Sequence, residues 1–112
     1  MSSASPSAAG ADPVPVFAAL GDHTRLALLT RLSDGQEASI AGLSAGTALT
    51  RQAVTKHLRV LEEAGLVRSV RVGRESRFAF RPDAVDAARA YLDAVSRQWD
   101  DALARLSAFV ER

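Results

Sequence analysis

The chain has 112 residues, no cysteine, 47% apolar residues and a net charge of +1, from 14 Lys and Arg against 13 Asp and Glu. That is the profile of one globular domain. It excludes two independent domains, a disulfide framework, a thiolate metal site, a cysteine nucleophile and a thiol sensor, and it points to a reducing cytoplasmic compartment.

The longest uncharged run, Ala38 to Thr50, is broken by two glycines and several hydroxyl residues. It falls short of the roughly 18 apolar residues a membrane span needs, so no membrane partner is expected. The charge itself is uneven: between Thr50 and Arg81 eight basic side chains stand against three acidic ones, and the flanks together are net acidic. Clustered cations, more than a high overall pI, are what phosphate neutralisation requires, although a solvated charged face has the same composition.

Met1 to Pro13 is built of Ser, Ala, Gly and Pro with one late charge, which reads as a disordered arm before a domain over residues 14–112. It has neither the basic start nor the continuous apolar stretch of a signal peptide. Val16, Phe17 and Leu20, three and four apart, predict a short helix over 14–20 that ends at Gly21. Asp22 caps a second helix through Leu32, with Leu26, Leu28, Leu29 and Leu32 as its buried stripe and Ser33-Asp34-Gly35 as its stop. Ser39 caps a third over 40–45, with Ile40 and Leu43 inward and Gly46 closing it.

Thr50 caps a fourth helix, 51–63, that turns Val54, Leu58 and Leu61 inward and Arg51, Gln52, Thr55, Lys56 and Arg59 largely outward. Two helices joined by so short a turn, the second basic on its outer face, match a helix-turn-helix. An ordinary helical hairpin has the same pattern. The β-type runs 66–72 and 75–81 on either side of Gly73-Arg74 then predict a two-stranded hairpin, with Phe78 and Phe80 on one face and Arg77 and Arg81 on the other. A helix-turn-helix continued by an arginine-bearing hairpin is a winged helix, whose wing lies along the sugar-phosphate backbone or reaches toward the minor groove.

Pro82 and Asp83 start a last helix of about 28 residues, roughly 40 Å long. Its apolar positions Val85, Ala88, Leu92, Val95, Trp99, Leu103, Leu106 and Val110 recur every three or four residues. One reading is a core helix within the chain. The other, taken here because the stripe exceeds what so small a body can cover, is an interface with a second copy formed by Leu92, Val95, Trp99, Leu103 and Leu106 together with Val16, Phe17 and Leu20 of the first helix. Two-fold DNA readers need half-sites about 34 Å apart. The expected fold is therefore mainly α with a small β-hairpin: a winged helix-turn-helix of about five helices, a two-stranded wing and a long C-terminal dimerisation helix.

The runs Phe17-Ala18-Ala19-Leu20-Gly21-Asp22-His23-Thr24-Arg25-Leu26 and Thr50-Arg51-Gln52-Ala53-Val54-Thr55-Lys56-His57-Leu58-Arg59-Val60-Leu61-Glu62-Glu63-Ala64-Gly65-Leu66-Val67 resemble the ArsR/SmtB family of bacterial winged-helix repressors. The resemblance extends over about Val14 to Arg112. It implies a homodimeric transcriptional regulator, usually a repressor, whose partner is double-stranded DNA carrying an imperfect palindrome. By position it places Arg51, Gln52, Thr55 and Lys56 toward the major groove, with Thr50 at the helix start. Gln52 would then meet an adenine edge, Arg51 or Lys56 a guanine, Arg59 a phosphate, and Arg71, Arg74 and Arg77 would be wing contacts.

Departures from the family pattern carry equal information. Its metal sensors commonly use paired cysteines in the third helix, or Asp and His near the last one. Here the third helix reads Ser39-Ile40-Ala41-Gly42-Leu43-Ser44 and the last contains no His. Neither metal site can form, and no metal or cofactor is expected. Asp83, Asp86, Asp93, Asp100 and Asp101 read as solvating charge, and His57 as a packing or phosphate-contacting residue. The resemblance is thus to the non-metal-sensing branch, relieved by an organic effector, by another condition or by nothing identified; Phe17, Tyr91 or Trp99 would line an effector pocket between the first and last helices at the dimer interface. An enzyme is not expected, since His23 and His57 each have a packing explanation and no Gly-rich phosphate loop or base-activated nucleophile occurs. The competing reading is a winged-helix module for protein association or non-specific DNA binding, which would lack the about 10³-fold preference of a specific reader for its own site.

Overall fold

The computed structural model describes residues 12–111. Most of the arm expected over Met1 to Pro13 lies outside the described residues. The elements run α1 (Val14–Leu20), α2 (His23–Leu32), β1 (Ala38–Ser39), α3 (Ile40–Ala45), α4 (Arg51–Glu63), β2 (Val67–Val72), β3 (Glu75–Phe80) and α5 (Pro82–Val110). Three of the five described helices start at an N-cap side chain that accepts from free backbone N–H groups. The Asp22 carboxylate accepts from the Arg25 N–H at 3.0 Å, the Ser39 hydroxyl from Gly42 at 3.0 Å and the Thr50 hydroxyl from Ala53 at 3.1 Å.

The exit from α4 sets the direction of the wing. Leu66 N–H donates to the Leu61 carbonyl at 2.9 Å and Gly65 N–H to the Glu62 carbonyl at 3.0 Å, a Schellman closure. Gly65 sits at φ 79°, a left-handed conformation that side chains resist and glycine accepts. Leu61 and Leu66, the apolar pair this closure brings together, are both fully buried.

The hairpin expected from the sequence is present, but the sheet has three antiparallel strands in the order β1-β3-β2. Ala38 pairs with Phe78 and Ser39 with Arg77, while β2 pairs with β3 from Val67↔Phe80 to Val72↔Glu75. Strand β1 has only two residues, too few for any alternation to register in the sequence. Phe78 and Ala79, on opposite faces of the central strand β3, are both buried, so the inside-outside alternation expected for this strand is incomplete.

Leu28, Leu32, Leu43, Val54, Leu58, Leu61, Leu66 and Val67 form the fully buried centre. Leu26 departs from the expected stripe and is exposed. It lies about 110° around α2 from the middle of the arc made by Leu28, Leu29 and Leu32, so the helix cannot bury all four. From α5 only Ala84, Val85 and Ala88 reach this core. The rest of the 29-residue helix continues past it, and the molecule is 68 Å in its longest dimension. No helix among the described residues is long and apolar enough to cross a membrane.

Candidate nucleic-acid interface

Helix α4 has two sharply different faces. Val54, Leu58 and Leu61 are buried, which fixes the rotation of the helix about its axis. Arg51, Gln52, Lys56 and Arg59 then fall on the exposed side, and none of their side chains has a hydrogen bond or ion pair to another described residue. Thr50 and Thr55, also expected at the interface, already serve the helix. The Thr50 hydroxyl caps it, and the half-buried Thr55 donates its hydroxyl to the Arg51 carbonyl at 2.7 Å.

The turn before α4 is held by a side chain from α2. Arg31 donates through Nη1 to the Leu43 carbonyl at 2.7 Å and through Nη2 to the Gly42 carbonyl at 3.2 Å, so its guanidinium closes the C-terminal end of α3. Gly46 lies directly against it, and an added Cβ would come to 2.9 Å from Nη1. Arg31 thereby ties α2 to the turn that launches the exposed helix. No local pattern around Arg31 signals this role.

Between α4 and the wing lies an open cleft of about 670 Å³. Its α4 wall is made by Arg51, Gln52, Thr55, Lys56 and Arg59; the wing contributes Arg74, Glu75 and Ser76, and the start of α3 supplies Ser39, Ile40 and Ala41. Six of the nine residues expected to touch DNA therefore line one concave surface. Strand β1 brings the α3 start into that wall, because Ser39 pairs with Arg77 of β3 and also caps α3. Nothing in the local pattern of residues 38–41 signalled this.

The wing arginines are not equivalent. Arg71 and Arg74 are exposed, and their side chains have no hydrogen-bond or ion-pair partner among the described residues. Arg77 is half-buried, and its Nε donates to Glu75 Oε1 at 2.9 Å. That pair places the Glu75 carboxylate in the cleft wall with its counter-ion beside it. His57 is turned away from this cleft: Nδ1 lies 3.4 Å from Arg25 Nη1 and 3.8 Å from Asp22 Oδ2. The Asp22 carboxyl is held below the ordinary carboxylate range, first by the Arg25 backbone N–H bond.

The expected interface residues of the last helix divide similarly. Trp99 is 65% exposed, and Leu92, Leu103 and Leu106 are exposed as well, while Val95 is half-buried. Phe17 and Leu20 are half-buried and pack on the core, whereas Val16 is 6% exposed within the chain's own core. Val16 is thus committed inward rather than offered to a second copy. Phe17 and Tyr91 pack on each other, ring centroids 6.1 Å apart and tilted by 54°. Trp99 stands two turns further along α5, beside a shallow hollow with Gln98 and Ala102, so the three aromatics do not line one pocket within a chain. Among the described residues no group of three or more His, Asp or Glu side chains is placed to hold a metal ion.

A helix-turn-helix domain model matches residues 20–70. The chain is 45% identical over 65 residues to the uncharacterized HTH-type transcriptional regulator YuzN of Bacillus subtilis strain 168, an alignment spanning 53% of this chain and 71% of that one. Among solved structures it is similar to an ArsR-like transcriptional regulator from Rhodococcus sp. RHA1, with a TM-score of 0.77 and 37% identity over 87% of this chain and 91% of the other. The ArsR family transcriptional regulator RHA00566 superposes with a TM-score of 0.71 and 31% identity, covering 78% of this chain and 89% of its own.

Proposed function

The chain belongs to the ArsR family of helix-turn-helix transcriptional regulators and is not an enzyme, and from that premise we propose that it is a homodimeric, sequence-specific repressor. The observation that carries this reading is the cleft, in which the polar face of α4 and the wing tip address one open space. A duplex seated there receives α4 in its major groove, with Gln52 and Arg51 or Lys56 at base edges. Arg59, Arg71 and Arg74 contact phosphates. Steric block of polymerase is the simplest consequence of occupancy at a promoter.

Dimerisation is supported by the exposed stripe of α5, which presents Leu92, Trp99, Leu103 and Leu106 to solvent. Exposed apolar area of that extent rarely stands alone on a monomer, and a second copy related by a two-fold axis covers it while presenting two α4 helices to a palindromic operator. Release from DNA is assigned to an organic effector or a condition other than metal binding. The chain has no cysteine, and α5 has no histidine. It acts in the cytoplasm, where its DNA is.

The test is a mobility shift of the purified chain on the DNA immediately upstream of its own gene, with excess random duplex and defined salt. A competitor-resistant complex containing two chains is expected. Complete loss of the complex to random duplex would favour non-specific binding or protein association instead.

A further inference from the structure

Three helices meet at one guanidinium. Arg25, in the first turn of α2, donates through Nε to the Ala19 carbonyl at 2.7 Å and through Nη2 to the Ala18 carbonyl at 3.3 Å, both near the C-terminal end of α1. Its Nη1 points to His57 of α4, 3.4 Å from Nδ1. A guanidinium only donates, so this contact uses Nδ1 as the acceptor and leaves the imidazole proton on Nε2. The Asp22 carboxylate, which accepts from the Arg25 backbone N–H, stands at the same corner with Oδ2 3.8 Å from Nδ1, and with the imidazole proton on Nε2 it makes no hydrogen bond to the ring.

We propose that Arg25 is a positioning residue for DNA reading, a strut that sets α4 against the end of α1. His57 lies between Lys56 on the cleft wall and the buried Leu58, so fixing its ring fixes the register of the cleft-facing side chains beside it. The planar fork suits this task because its donors are held at set angles, whereas a lysine ammonium cannot reach three separated acceptors. Helix α1 also packs on α5 through Phe17 and Tyr91. The strut therefore gives the α1–α5 layer a direct hold on the helix that reads DNA. The proposal rests on the reading of α4 as that helix.

The experiment uses the full chain and two duplexes: one enriched from a random library by the wild-type protein, and one random. Arg25→Lys and His57→Phe are each expected to lower affinity for the enriched duplex about tenfold, with binding to the random duplex held within about twofold. His57→Asn, whose amide oxygen can stand where Nδ1 does, should keep the wild-type ratio. The double variant Arg25→Lys, His57→Phe should lose no more than the weaker-binding single one, because the strut is already broken. Multiplying losses in the double variant, or an unchanged ratio in both single variants, would overturn the proposal. Should Arg25→Lys fail to fold, His57→Phe against His57→Asn carries the test, and equal behaviour of those two overturns it. If the wild-type chain enriches no duplex, the DNA-reading proposal fails on its own. The strut is then judged by amide exchange, where Arg25→Lys must speed exchange at the end of α1 and in α4 together.

Discussion

At the scale of single residues, the interface separates side chains by what already engages them. Arg74 is exposed and unpaired among the described residues, whereas Arg77 is tied to Glu75 at 2.9 Å. Arg74→Ala should weaken binding to all duplexes about equally and lower the salt slope by about 1, and Arg77→Ala should do so less. Gln52→Ala should cost about 1–3 kcal/mol on the preferred sequence and nothing on random duplex, both read from titrations over a range of salt. Asp22 supplies a pH dependence. Its pKa is lowered in the folded chain, so its stabilisation is complete above the ordinary carboxylate range and is lost as pH falls through the lowered value. Asp22→Asn caps equally well and does not titrate. Acid unfolding followed by circular dichroism should show a shallower loss of stability in this variant than in wild type.

At the scale of elements, most boundaries were legible because each has a local cause. Asp22, Ser39 and Thr50 are acceptors placed just before apolar periodicity begins, and the caps they form are observed. The exit from α4 is as local. Gly65 has room for a methyl group, the nearest atom being Ala84 Cβ at 3.8 Å, so Gly65→Ala isolates the backbone term at φ 79°. It should cost about 1–2 kcal/mol in urea denaturation and loosen the wing that hangs from this turn. Strand β1 was not legible, because two residues carry no period and only β3 makes them a strand. Leu26 misled for a related reason: composition marks a residue as apolar, but the width of the buried arc on α2 decides which leucines fit within it.

At the scale of the whole molecule, α5 past the core exposes the apolar side chains of Leu92, Trp99, Leu103 and Leu106. Trp99→Asp should lower the dimer population in sedimentation and operator affinity together, since a single half-site binds weakly. A monomeric variant retaining full operator affinity would separate the two properties and remove the dimer from the mechanism. The same stripe should make the melting temperature rise with protein concentration, as it does whenever association stabilises the folded state.

The sequence by itself determined the five helices, the hairpin, the basic middle and the outward placement of Arg51, Gln52, Lys56 and Arg59, because caps, turn residues and periodicity act within a few residues of chain. Tertiary structure alone decided that β1 joins the sheet and brings Ser39 to the cleft, that Val16 turns inward, and that Arg25 and Arg31 hold α1 and α3 in place. Each of these depends on which groups from other elements lie in contact with the residue. That is a property of how helices pack, and no local pattern encodes it.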